Sequence, residues 1–129
     1  MAKNKQQETI QWIERNVAVA ELKPYEKNPR KISDSAFKRL VEDIRTNGYH
    51  QRIIATPDLR VIGGHQRIKA LTELGIEKIA VLVPDREIPD DKFRELLVKD
   101  NLPFGEFDFE MLAEEFSVEQ LTEWGMPED

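Results

Sequence analysis

Residues Val61–Gly75 read "VIGGHQRIKALTELG": an apolar triplet, two adjacent glycines, a histidine and an arginine, and then apolar residues at helical spacing. A strand that ends in Gly63-Gly64 and runs straight into a helix exposes that helix's first backbone N–H groups. With no Cβ beside them, little obstructs an approaching anion. Helical side chains lean toward the N-terminus, so Arg67, about one turn in, aims its guanidinium at the same anion, with Gln66 beside it and His65 at the rim. The same residues also fit a plainer reading, in which the glycines only make a tight turn and Arg67 lies on the surface. Neither the Walker pattern nor the Rossmann fingerprint is present to choose between them.

Outward from this junction, Ile68, Leu71 and Leu74 predict a helix ended by Gly75, and "KIAVLVPD" after it reads as a buried strand. A strand, helix, strand succession of this length implies a right-handed parallel crossover. On the other side, the apolar runs Ile53–Ala55 and Arg60–Ile62, parted by Pro57 and Asp58, predict a hairpin. Before it, Ser33 caps a helix carrying Phe37, Leu40, Val41 and Ile44, with Gly48 as its stop. "TIQWIERNVAVAEL" supplies one or two strands, and "KPYEKNPRK" is a loop broken by its prolines. Pro89 and Asp90 open a further helix with Phe93, Leu96 and Leu97 as its apolar stripe. The end of the chain predicts two short acidic helices joined near Ser117. The fold expected is α+β (α/β), a small mixed sheet flanked by helices.

A chain of 129 residues suits one domain able to bury a core, and 40% hydrophobic with 34% charged residues is the composition of an ordinary soluble globular protein. The absence of cysteine excludes disulfides, thiolate nucleophiles and Cys-ligated metal sites. No apolar run approaches the roughly 20 residues that span a bilayer, and "MAKNKQQET" has no signal-peptide core, so the expected location is the cytoplasm, away from any membrane. The net charge of −6 is unevenly spread: residues 1–70 hold 14 Lys and Arg against 8 Asp and Glu, whereas residues 71–129 hold 5 against 17. An acidic protein is a poor non-specific binder of duplex DNA, though the basic half can still hold a nucleotide or a short strand.

The blocks "ELKPYEKNPRK", "GYHQRIIAT", "VIGGHQRIKALTELGIEKIAVLV" and "LLVKDN" follow in the order and spacing of the ParB/sulfiredoxin-like superfamily, which the chain resembles from about Ile10 to Asn101. It looks most like the short phage and prophage domains known as ParB-like nuclease domains, often encoded near or fused to DNA methyltransferases. Gly64-His65-Gln66-Arg67-Ile68-Lys69-Ala70 is similar to the G-x-x-R-x-x-A box of ParB proteins. The resemblance implies a domain over 1–101 and an acidic, aromatic-rich helical extension over 102–129. It also implies that the box holds nucleotide phosphates, with Asn28, Arg30 and Gln51 in other pocket-facing loops. In ParB proteins a Glu-Asn pair helps place magnesium and water against the triphosphate. Asp100-Asn101 stands in the similar place here, with a carboxylate one carbon shorter, as the candidate catalytic and Mg2+-holding pair. Sulfiredoxins carry a cysteine where this chain has Gly64, so sulfinic acid reduction is not expected.

Each of these residues also has a structural reading: Asn28 as a turn residue before proline, Arg30 as an exposed loop arginine, Asp100-Asn101 as a helix end before Leu102-Pro103. His50 and His65 lack a third ligand for zinc. Partitioning ParB proteins continue into a helix-turn-helix reader, whereas this chain ends 28 residues after Asn101, so a complete partitioning protein is not expected. Three functions follow. One is a nucleotide-binding accessory or regulatory module in phage, prophage or plasmid DNA metabolism, with slow NTPase activity within its reach. Another is a nuclease drawing a metal cluster from Asp100, Glu42, Asp43 or Glu106. The last is a non-catalytic partner of a DNA methyltransferase or other DNA-processing protein. Phe104, Phe107, Phe109, Phe116 and Trp124 are divided between core cover and partner contact.

Overall fold

The computed structural model describes residues 9–26, 31–102 and 108–126. Four strands form one mixed sheet: β1 (Trp12–Ala18), β2 (Ile53–Ala55), β3 (Val61–Gly63) and β4 (Lys78–Pro84), in the order β1-β4-β2-β3. Among the described residues, five α-helices accompany it: α1 (Asp34–Asn47), α2 (His65–Glu73), α3 (Asp90–Asp100), α4 (Phe109–Glu115) and α5 (Val118–Glu123). The N-terminal apolar stretch makes one strand and then a 3-10 turn, Val19–Glu21. This is the mixed-sheet α+β fold expected from the sequence.

The crossover is wired differently from the expectation. β3, which feeds α2, is antiparallel to β2, and it is β2 that lies parallel to β4, with Ile53 opposite Val81 and Ile54 opposite Leu82. The parallel unit therefore spans β2 to β4 with a hairpin arm inserted before its helix. That insertion carries the end of β3, and hence the glycine pair, to the sheet's edge. Lys23, expected in a loop, pairs beside that edge in a parallel bridge with Arg60.

Alternation along the short strands sorts the core into two layers. Ile53, Val61 and Val81 join Ala70 and Leu71 of α2, with Phe37, Leu40 and Val41 of α1 packed against them. Ile62 faces the other way and meets Phe93 and Leu97 of α3, with Tyr25 and Ile54 alongside. Ser33 caps α1 by accepting the Ala36 N–H at 3.1 Å, and Gly48 follows its last turn. Asp108 and Ser117 cap α4 and α5 in the same way. Of the C-terminal aromatics, Phe109, Phe116 and Trp124 are exposed and belong to neither core layer; Phe104 and Phe107, the others among which core cover was expected, lie outside the described residues.

Candidate functional site

β3 ends at Gly63, and Gly64 caps α2 in the left-handed conformation, φ +98° and ψ +23°. Its carbonyl accepts the N–H groups of Arg67 at 3.0 Å and Ile68 at 3.3 Å, closing the first helical turn. An α-helix leaves its first N–H groups without an intrahelical acceptor, so those of His65 and Gln66 are presented at this end. They open on a cleft of about 190 Å³ lined by Ile32, Leu40, Gly64, Gln66, Arg67 and Asp100, with His65 and Asn101 completing it. That is below the roughly 300 Å³ at which sites for whole drug-sized ligands begin, and suits a phosphate group or two.

Arg67 turns back over the start of its own helix, as the lean of helical side chains predicts. Its Nη2 donates to Gln51 Oε1 at 2.6 Å, fixing the guanidinium from the loop before β2. The glycine pair makes room for side chains as much as for a ligand. A Cβ on Gly64 would stand 2.8 Å from Ile53 Cγ1 and 3.0 Å from Arg67 Nη1, and one on Gly63 would stand 2.6 Å from Asp100 Cγ. The carboxylate of Asp100 thus rests on the end of β3, at the edge of the cleft.

His65 is not at the rim. It is 9% exposed, and its Nε2 accepts the Tyr25 N–H at 3.2 Å, which requires that nitrogen to be unprotonated. Burial pushes its pKa below the ordinary histidine value, Lys69 adds to the lowering, and the Asp100 carboxylate opposes it. The ring ties the Lys23–Glu26 segment to the first residue of α2. Asn101 follows α3 as its C-cap, and its Nδ2 donates to the Leu97 carbonyl at 2.8 Å, so the helix-ending role applies even as the residue lines the cleft. Asn28, Arg30 and Glu106 lie outside the described residues.

Glu42 and Asp43, the other carboxylates considered for a metal cluster, are engaged along α1. Arg45 pairs with Glu42, while Asn47 Nδ2 donates to Asp43 at 2.7 Å and His50 lies 3.1 Å from it; both carboxyls are held below their usual range by these bonds. Among the described residues, no three His, Asp or Glu side chains converge as a metal site. Among the described residues, Asp100 is the one carboxylate lining the cleft. One carboxylate fits a Mg2+ that takes its remaining ligands from phosphates and water. Sequence reasoning missed three features: Ile32 and Leu40 as cleft walls, and the bond from Tyr25 to His65. The last carries no local sequence signal, being made by a backbone group 40 residues away.

The fold and the junction define an α+β domain with a polar cleft at the start of the helix that follows a hairpin arm. The family model of the ParB N-terminal domain matches residues 1–102, and the chain belongs to that family. Among solved structures, the chain is similar to the C-terminally truncated chromosome-partitioning protein ParB from Caulobacter crescentus complexed with CTP-γ-S, at 19% identity and a TM-score of 0.65, covering 86% of this chain and 69% of that one. It is also similar to a pNOB8-like ParB N-domain, at 20% identity and a TM-score of 0.64 over 88% of this chain. The chain spans about half of that protein, 49%. Sulfiredoxin from Arabidopsis thaliana shares the fold at 18% identity and a TM-score of 0.53, over 66% of this chain and 97% of that one. No curated protein matches the chain. Among the described residues, no helix is long and apolar enough to cross a membrane.

Proposed function

We propose that this chain is a nucleotide-binding module, with an accessory or regulatory duty in phage, prophage or plasmid DNA metabolism. One observation carries the reading: Arg67, braced by Gln51, closes over a helix start whose cap is a left-handed glycine, so a fork of donors, N–H groups and a helix dipole meet in one cleft. The phosphate-binding set is Gly63, Gly64, Gln66, Arg67 and Gln51, with Asn28 and Arg30 from the preceding loop. His65 acts behind them by holding Tyr25 in place. The C. crescentus neighbour is complexed with CTP-γ-S, which makes CTP the first nucleotide to test. When bound, Mg2+ supplies charge neutralisation at the phosphates, and Asp100 is the residue to hold it. Asn101 donates its Nδ2 to its own helix, and slow NTPase turnover belongs to the same reading. Isothermal titration with CTP, ATP, GTP and UTP in the presence of magnesium tests the reading. Saturable binding of at least one, lost in Arg67→Ala, is expected; no binding of any overturns it.

Residues 1–101 form the binding domain and 102–129 an extension suited to a protein partner. Phe109 and Met111 on α4, Val118 on α5, and Phe116 and Trp124 just after those helices stand exposed, in a segment from Asp100 to Asp129 with no Lys or Arg. A DNA methyltransferase or another DNA-processing protein is the partner class this reading assigns.

A further inference from the structure

The two edges of the sheet are finished differently. At one edge β3 is covered by the Lys23 segment: the Lys23 N–H donates to the Leu59 carbonyl at 2.8 Å, and the Val61 N–H to the Lys23 carbonyl at 2.9 Å. At the other edge, among the described residues, β1 has no strand beside it. Antiparallel ladders alternate, and the bonds from the Asp85 N–H to the Gln11 carbonyl and from the Val19 N–H to the Glu77 carbonyl set the phase. Residues 11, 13, 15, 17 and 19 turn their backbone groups toward β4. Those of Trp12, Glu14 and Asn16 therefore point out of the sheet, and no hydrogen bond to them occurs among the described residues. The Ala18 N–H, next in that outward series, donates to Glu21 Oε1 at 3.2 Å and closes the row. Trp12 and Ile13 stand exposed along the same strand, one on each face of the sheet.

We propose that this edge is a self-pairing surface: β1 of a second copy of the chain adds antiparallel to it about a two-fold axis through Ile13, joining the two four-stranded sheets into one. A row of unbonded N–H and C=O groups between apolar side chains is a template for another strand, and a two-fold axis requires that the surface complement itself. Facing residues of an antiparallel pair lie on the same face, so two-fold pairing sets one residue opposite its own copy. Charge and strand length select which. Centring on Glu14 or Arg15 places like charges directly opposite each other, which is destabilising. Centring on Asn16 leaves Trp12 and Ile13 opposite the 3-10 turn, and centring on Trp12 pairs no other residue of β1 with β1 of the copy. With Ile13 at the axis the two exposed isoleucines meet, Glu14 faces the second copy's Trp12, and Arg15 faces the second copy's Gln11. The outward groups of Trp12 and Glu14 then exchange backbone hydrogen bonds on both sides of the axis. The ends of β3, and so both clefts, lie at the far edges of the joined sheet, and pairing leaves them open.

Sedimentation equilibrium of the full chain from micromolar to millimolar concentration, in physiological salt to screen the net charge of −6, should show a reversible monomer–dimer equilibrium. Glu14→Pro removes an N–H that β4 does not use, and proline is tolerated at outward positions of edge strands. It should weaken dimerisation by about tenfold, the effect of losing one backbone bond from each copy. Ile13→Lys changes an exposed side chain, sets two ammonium groups against each other at the axis, and should abolish the dimer; it decides the matter if Glu14→Pro does not fold. The chain has no cysteine, so a single introduced one reports the register. With copper phenanthroline as oxidant, Ile13→Cys should cross-link, because residues facing at a non-hydrogen-bonded position stand about 4.5 Å apart at Cα, within disulfide reach. Arg15→Cys lies too far along the pair from its own copy and should not. A chain that stays monomeric to millimolar concentration overturns the proposal and leaves the edge to a strand of another protein. A dimer that Ile13→Lys leaves intact, or cross-linking as strong at Arg15→Cys as at Ile13→Cys, overturns it too.

Discussion

Gln51 and Arg67 meet at 2.6 Å, Oε1 of the first accepting from Nη2 of the second, across 16 residues of sequence. The contact joins the loop before β2 to the first turn of α2. It orients the guanidinium before any ligand arrives, and preorganised donors bind more tightly than donors that must be ordered on binding.

Truncating the two partners should therefore have unequal effects. Arg67→Ala removes a charge-assisted bond and should weaken nucleotide binding by about 1.5–3 kcal/mol. Gln51→Ala leaves the charge but frees its direction, and should cost about 0.5–1.5 kcal/mol. Titration calorimetry on both variants decides; a larger loss in Gln51→Ala would show that Gln51, and not Arg67, makes the principal contact.

Two left-handed glycines bracket α2 and separate conformation from crowding. Gly75 has φ +73° with nothing within 4 Å of an added Cβ, so Gly75→Ala should cost only the left-handed penalty, about 1–2 kcal/mol. Gly64 has φ +98° and a Cβ there would reach to 3.2 Å from Ile53 Cα, a backbone atom that cannot swing away. Gly64→Ala should cost about 1–3 kcal/mol beyond Gly75→Ala, by analogy with overpacked cores. Thermal melts of the pair read the difference directly; equal shifts would mean that Ile53 yields.

How much of this was legible in the sequence depends on how local each signal is. Ser33 announces a helix start through a bond to backbone three residues on, and the cap appears where the sequence puts it; Ser117, expected only as the join of two helices, and Asp108, not singled out, cap by the same local bond. The strand-to-helix junction and the back-folded Arg67 also follow from local geometry. The crossover did not, because β3 and β4 are neighbours in chain order yet β2 lies between them, and pairing across a sheet leaves no trace in short apolar runs. For the same reason the partner of Gly63 was invisible: Asp100 reaches it only because α3 packs Phe93 and Leu97 on Ile62.

His65 gives the molecule a pH dependence whose sign is set. In the folded chain burial keeps the ring neutral, its Nε2 accepting the Tyr25 N–H, so its pKa lies below the unfolded value of about 6.5. As pH falls below about 6.5 the unfolded chain takes up a proton that the folded one resists, so stability contributed by the neutral ring is full above that pH and is lost on acidification. His65→Gln retains an acceptor that does not titrate. Melting temperatures between pH 5 and 8 should fall more steeply for the wild-type chain than for the variant. Parallel curves would mean that the buried ring protonates without penalty.

The nuclease reading is tested through charge. A nuclease holds a polyanion along several phosphates, and such binding falls by orders of magnitude between about 50 and 200 mM salt. A cleft of about 190 Å³ closed by Arg67, with Arg30 assigned beside it, engages few phosphates, so its affinity for nucleotide should change little over the same range. The chain carries a net charge of −6 and has no Lys or Arg from Asp100 to Asp129. Of the carboxylates that a metal cluster would use, Glu42 and Asp43 are paired along α1, while Asp100 rests against Gly63. Binding to duplex DNA at physiological salt should therefore be weak or undetectable for this chain alone, and plasmid should stay supercoiled with magnesium or manganese. Nicking that Asp100→Ala abolishes would overturn this, because a lone carboxylate would then be assembling a metal site with groups supplied by the DNA.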